Sequence, residues 1–105
     1  MPSDFVVVLT TYPADGDVDA FAAALVGERL AACVNVFPVQ SIYRWQGAIE
    51  RAGERQLFIK TTAERVAVLK DRIKALHPYE VPEFVVLPVA TGTADYLSWL
   101  AENSR

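Results

Sequence analysis

His77 is the sole histidine of the 105-residue chain. It opens the stretch HPYEVPE (His77 to Glu83), which sets an imidazole, a phenol and two carboxylates in one short turn. Imidazole with carboxylate is a donor set for Cu(II) or Zn(II), so His77 and Glu80 form a candidate metal pair. Cys33, the only cysteine, would add a thiolate and move the preference towards Cu(I) or Zn(II). His77 and Cys33 make no chelating motif, since they stand 44 positions apart and structural zinc wants four ligands. His77 with Glu80 or Glu83 also has the residue types of an acid–base pair. A single histidine supplies no Ser-His-Asp set, and no P-loop, dinucleotide fingerprint or HExxH occurs. The chain is therefore not read as an enzyme.

Other groups carry weaker chemistry. Lys60, beside Thr61 and Thr62 ahead of a helix, has the position of an anion binder, and equally that of a strand-end lysine whose stem lies on apolar surface. Cys33 follows Ala31-Ala32 at a strand entrance and reads as a small buried hydrophobe rather than a reactive thiol. Tyr43 and Trp45 read as interface packing, with the option of lining a cleft between subunits; Trp99 reads as helix packing. A hydrolase of acylphosphatase type would need an arginine and an asparagine at a phosphate-binding loop. Asn35 and Asn103 are the only asparagines, and neither sits in a glycine-rich loop.

Alternating strand and helix signals run from end to end. Phe5 to Thr11 is an unbroken, β-branched apolar run that predicts a largely covered strand. After Pro13-Ala14-Asp15-Gly16, Asp17 caps a helix that carries Val18, Phe21, Ala22 and Leu25 and extends to about Ala32. Cys33 to Gln46 predicts a long strand with a bulge or edge position at Pro38. Gln46-Gly47 supplies a tight turn, and Ile49 to Lys60 returns as the second arm, with an irregularity at Ala52-Gly53. Thr61 to Glu64 has the T-x-x-E pattern of a capping box, ahead of a helix with Val66, Leu69, Ile73 and Leu76 on its buried stripe. His77-Pro78 stops that helix. Pro82 to Ala90 predicts a last strand, and Thr93 or Asp95 opens a short helix through Tyr96, Leu97 and Leu100. The order β-α-β-β-α-β-α, with right-handed crossovers, predicts a single ferredoxin-like α+β sandwich over residues 1–105, with both main helices on one face of a four-stranded antiparallel sheet.

Composition bounds the partners. AVILMFWYC residues make up 52% and charged residues 22%, an ordinary globular balance. Lys and Arg number 10 against 13 acidic residues, a net charge of -3 that argues against a phosphate-reading nucleic-acid binder. No apolar run approaches the roughly 20 residues that span a bilayer, so no membrane partner is expected. The opening Met1-Pro2-Ser3-Asp4 has no basic n-region, and a lone thiol suits a reducing compartment; both predict a cytoplasmic protein.

The hairpin arms are about 13 residues each, against a usual strand of about 5–6. At ~3.3 Å per residue an arm spans about 40 Å, more than the flanking strands can accompany. The distal half, with Ile42, Tyr43, Trp45 and Ile49, must project past its own sheet. Exposed ribbon edges bearing large apolar groups predict pairing with another chain.

ERLAACVNV (Glu28 to Val36), SIYRWQG (Ser41 to Gly47), IKTT (Ile59 to Thr62), HPYEVPE and YLSWL (Tyr96 to Leu100) stand in the order and at the spacings of the CutA family, which the chain resembles over nearly its whole length. The resemblance implies a homotrimer of nitrogen-regulator-like fold, with Ile42, Tyr43 and Trp45 at the trimer interface. It also implies a role in tolerance of copper and other divalent cations. A metal or small ligand would sit in clefts between subunits near His77, Tyr79, Glu80, Glu83, Lys60 and Trp45. Family members that bind copper resemble a site built from a cysteine near the end of the first strand and two adjacent histidines before Pro-Tyr. Here those positions are Thr10 and Leu76, leaving His77 alone. The expectation is therefore weak Cu(II) binding through His77 and Glu80, with no cofactor required for folding. The rival reading is a small-molecule-sensing module of nitrogen-regulator type without metal affinity.

Overall fold

The computed structural model describes residues 4–105; the expectation drawn from Met1-Pro2-Ser3 lies outside them. Strands β1 (Phe5–Pro13), β2 (Cys33–Trp45), β3 (Ala48–Thr62) and β4 (Val85–Pro88) alternate with helices α1 (Val18–Gly27) and α2 (Val66–Leu76), and α3 (Ala94–Asn103) closes the chain. The strands form one antiparallel sheet in the order β2-β3-β1-β4. This is the expected ferredoxin-like α+β fold with β1 and β3 central.

Strand alternation divides the sheet into two faces. Val6 and Val8 of β1 and Leu57 and Ile59 of β3 share one face, where Phe21 and Leu25 of α1 and Leu69 and Ile73 of α2 join them in a single buried cluster. Both main helices therefore pack on that side. On the other face Phe37, Phe58, Val85 and Leu87 remain exposed.

β2 and β3 pair in one unbroken register from Cys33↔Lys60 to Trp45↔Ala48. β1 accompanies β3 only as far as Pro13↔Glu54, so from Gln40↔Gly53 outward the hairpin is a two-stranded ribbon. The molecule is accordingly elongated, with a longest extent of 45 Å. Gln46 and Gly47 both take positive φ, 49° and 83°. That is the combination a type I′ turn requires to match the twist of its strands.

Several local expectations are corrected. α1 ends at Gly27, not near Ala32. Arg29 adopts φ 61° while Leu30 N–H bonds the Leu25 carbonyl and Arg29 N–H that of Val26, a Schellman closure on a residue other than glycine. Its guanidinium donates to the carbonyls of Glu102 and Arg105, which ties this turn to the end of α3. The register shows no irregularity at Ala52-Gly53, and of the two options at Pro38 the edge position holds, since β2 is the edge strand. The capping box does not form. Thr61 points into the helix layer and donates to the Leu30 carbonyl at 2.8 Å, while Thr62 caps a single 3₁₀ turn, Ala63–Arg65, without a side-chain bond. Strand β4 is shorter than Pro82 to Ala90 because residues 78–84 form a crossover turn that pairs with no strand. α3 is capped by Thr93, whose hydroxyl accepts from Tyr96 N–H.

Candidate functional site

β4 accompanies β1 only from Val6↔Pro88 to Leu9↔Val85. Past that point the β1 edge is open, and the turn that ends α2 docks there. His77 is 8% exposed and ringed by Tyr12, Phe21 and Tyr79. Its Nε2–H donates to the Thr11 carbonyl, and its Nδ1 accepts the Tyr79 N–H at 3.1 Å. A carbonyl can only accept and an amide N–H can only donate, so the ring is the neutral Nε2–H tautomer with both nitrogens in use. No lone pair faces outward.

From His77 the chain passes round the sheet to the outer face. Tyr79 hydroxyl donates to Glu54 Oε2 at 2.7 Å, and Glu54 is 6% exposed beneath it. Gln56, on the same side of β3, donates from Nε2 to the Thr10 carbonyl at 2.9 Å and to Glu83 Oε2 at 3.0 Å. Burial, and next the bond and charge of Glu54, push the Tyr79 phenol well above the ordinary tyrosine range; Tyr43 and Asp15 add to the same effect. Between this turn and the projecting ribbon opens a cleft of about 740 Å³, lined by Tyr43 and Trp45 on one wall and Tyr79, Glu80 and Glu83 on the other, with Glu54 at its floor.

The sequence-derived candidates thus separate. Trp45, Tyr79, Glu80 and Glu83 meet around one cleft, while His77 lies behind it as a structural lock. Lys60 is not part of the lining; its Nζ stands 5.9 Å from the ring centroid of Tyr96 in α3. Cys33 pairs with Lys60 at the start of β2, rungs away from the Thr11 carbonyl that holds His77. Within one chain the set His77, Glu80 and Cys33 therefore does not come together. Among the described residues no three of His, Cys, Asp or Glu converge as metal ligands. Thr10, in the position of the family's thiol, is fully buried on the helix side, and its Oγ1 has no hydrogen-bond partner among the described residues. Within the described chain these residues do not assemble a three-ligand site. Glu54 and Gln56 were missed by sequence reasoning. No local signal marks them: Glu54 and Gln56 flank Arg55 ahead of the unbroken apolar run Leu57-Phe58-Ile59, and Glu54 is covered only through Tyr79.

A family model described as CutA1 divalent ion tolerance protein matches residues 6–103. The chain belongs to the CutA1 family. The divalent-cation tolerance protein CutA of Thermus thermophilus is 54% identical over 99 residues, covering 93% of this chain and 96% of that protein. The solved structure of the Thermus thermophilus protein superposes with a TM-score of 0.92 at 52% identity, covering 96% of this chain and 99% of that one. A CutA from Nostoc, described as PII-like and in apo form, gives 0.90 at 36% identity over 95% of this chain and 98% of its own. The relatives are named as tolerance proteins rather than as enzymes. Among the described residues no helix is long and apolar enough to cross a membrane.

Proposed function

We propose that this CutA-family chain works in the response to divalent cations, copper among them, as a homotrimer that holds a small ligand in the cleft under the His77 turn and binds metal only weakly. The observation that carries this reading is the contrast at His77: both ring nitrogens are spent on the backbone, while a formed cleft opens beside the turn that they hold. A protein of this design senses or carries a molecule rather than chelating an ion. Self-association is supported by the ribbon, where Ile42, Tyr43 and Trp45 are 65%, 45% and 40% exposed, and by the apolar outer face of the sheet. The lone thiol of Cys33 suits the cytoplasm, although the CutA of Archaeoglobus fulgidus is named periplasmic. Neither nucleic acid nor membrane is a partner in this reading. A second reading, small-molecule signalling with no part in metal response, draws on the likeness to the PII-like Nostoc protein.

Light scattering coupled to gel filtration, with Cu(II) titration calorimetry on wild type and His77→Ala, tests the proposal. The expected mass is three times 11.6 kDa, with weak and equal Cu(II) binding in both proteins. Nanomolar Cu(II) affinity lost in His77→Ala overturns the structural role given to the imidazole. A monomer at micromolar concentration overturns the assembly.

A further inference from the structure

We infer that the cleft takes a small organic cation, an ammonium group on a short apolar body, rather than an anion or a bare metal ion. This rests on reading the cleft as a ligand site and adds the chemistry of what enters it.

The lining carries Glu54, Glu80 and Glu83 and no lysine, arginine or histidine. Glu54 is the decisive member. It is 6% exposed, none of the salt bridges among the described residues reaches it, and its one side-chain hydrogen bond there is the Tyr79 hydroxyl on Oε2. A carboxylate removed from water with one neutral donor is poorly compensated, and its Oε1 has acceptor capacity to spare. Glu83 is aimed rather than loose, because Gln56 holds its Oε2 while bonded to the Thr10 carbonyl. The two carboxylates that act on the Tyr79 phenol, Glu54 and Asp15, both raise it, in keeping with the acidic lining. An anionic ligand would meet three like charges with no counter-charge.

A bare divalent cation is disfavoured by geometry. Among the described residues no three ligand side chains converge, and a cleft of about 740 Å³ is the size of a multi-atom ligand. The aromatic wall supplies the rest. Tyr43 and Trp45 present ring surface beside the carboxylates, and an aromatic face attracts a cation while packing against its apolar part. A buried carboxylate and aromatic rings in one lining are two halves of ammonium recognition.

The test uses the full chain and three probes that share a phenylethyl body: phenethylammonium, phenethyl alcohol and hydrocinnamate, titrated by calorimetry into wild type, Glu54→Gln and Glu83→Gln. Gln at position 54 keeps an acceptor for the Tyr79 hydroxyl, and gel filtration checks that assembly is unchanged. If Glu54→Gln fails to fold, Glu83→Gln and Trp45→Leu in the cleft wall carry the test. The expected result is phenethylammonium binding at least about tenfold tighter than the alcohol, no binding of hydrocinnamate, and about a tenfold loss in Glu54→Gln, the scale of one charge-assisted contact. Equal binding of alcohol and ammonium, or preference for the carboxylate, overturns the cation inference and leaves the cleft as a ligand site. Failure of all three probes to bind the assembled protein overturns the cleft reading itself. Binding to a monomeric variant but not to wild type shows that a second copy of the chain fills the cleft, and overturns the inference.

Discussion

The two faces of the sheet are built from similar residues and end in opposite states. On the helix side Val8, Leu57 and Ile59 are fully buried. On the outer side Phe37 and Phe58, whose rings pack edge-to-face at 5.1 Å, stay 37% exposed each, and Leu87 stays 45% exposed. The chain has two main helices and spends both on one face. On the outer face the turn after His77 wraps over Thr11 and Glu54, and Lys60 meets Tyr96 of α3. Buried apolar area on the first face stabilises the protomer; the same kind of area on the second is free to stabilise an assembly. The cleft forms where the self-covered part of the outer face meets the projecting ribbon.

The sharpest way to break this contrast is to charge the open face. Phe58→Glu places a carboxylate against Phe37 and beside Leu9, the β1 partner of Phe58. Light scattering should show the assembly lost and a mass of 11.6 kDa, while far-ultraviolet circular dichroism stays that of the folded chain. A mass that remains three times larger would mean that the outer face is not the surface through which copies meet.

The matching change on the closed face should act on folding instead. Leu57→Ala removes a fully buried side chain from the cluster that joins α1, α2, β1 and β3. The expected cost is about 2–5 kcal/mol in denaturant unfolding, transfer and cavity contributions together. It should be read in the Phe58→Glu background, where assembly no longer contributes to the unfolding equilibrium. A cost below about 1 kcal/mol there would mean that the helix layer repacks freely.

How far the sequence foretells these two faces depends on the range of the interactions. The helices and their stripes through Phe21, Leu25, Leu69 and Ile73 follow from periodicity, and the hairpin from its length and its Gln46-Gly47 turn, whereas the unbroken runs of β1 and β3 do not say which of their sides meets the helices. Local chemistry misled where a distant group intervened. Thr61 and Glu64 have the pattern of a capping box, yet Thr61 is taken by the Leu30 carbonyl from another part of the chain. α1 reads as helix past Gly27 because nothing local marks Arg29 for a left-handed turn; the carbonyls that engage it belong to Glu102 of α3 and to Arg105 just beyond that helix. The site shows the same division. HPYEVPE signals a functional turn, and Trp45, Tyr79, Glu80 and Glu83 do gather around the cleft. Residue types at His77 suggested a ligand, whereas tertiary contacts from Thr11 and Tyr79 consume both nitrogens. Glu54 resembles any hairpin carboxylate in the string of letters, and its burial depends on a turn 25 positions away.

The smallest effect lies at that bond, where the outer face closes on itself. Tyr79→Phe removes the hydroxyl that donates to Glu54, at a neutral-pH cost of about 1–2 kcal/mol. Its signature is the pH dependence. In the folded chain burial, with Glu54 behind it, pushes the Tyr79 phenol well above the ordinary value of about 10 that the unfolded chain shows. A raised folded value means that the folded state keeps a proton the unfolded state gives up, so unfolding becomes easier as pH climbs. The contribution is whole below about pH 10 and drains away above it, towards the folded value. Phenylalanine has no such proton. The stability difference between wild type and Tyr79→Phe should therefore be flat from neutral pH to about pH 9 and narrow beyond pH 10. Taking the difference between the two proteins cancels the other tyrosines, which titrate in both. Urea unfolding across that range measures it. Curves that stay parallel up to about pH 12 would mean that Tyr79 ionises as freely in the folded chain as in water and that the turn does not seal Glu54.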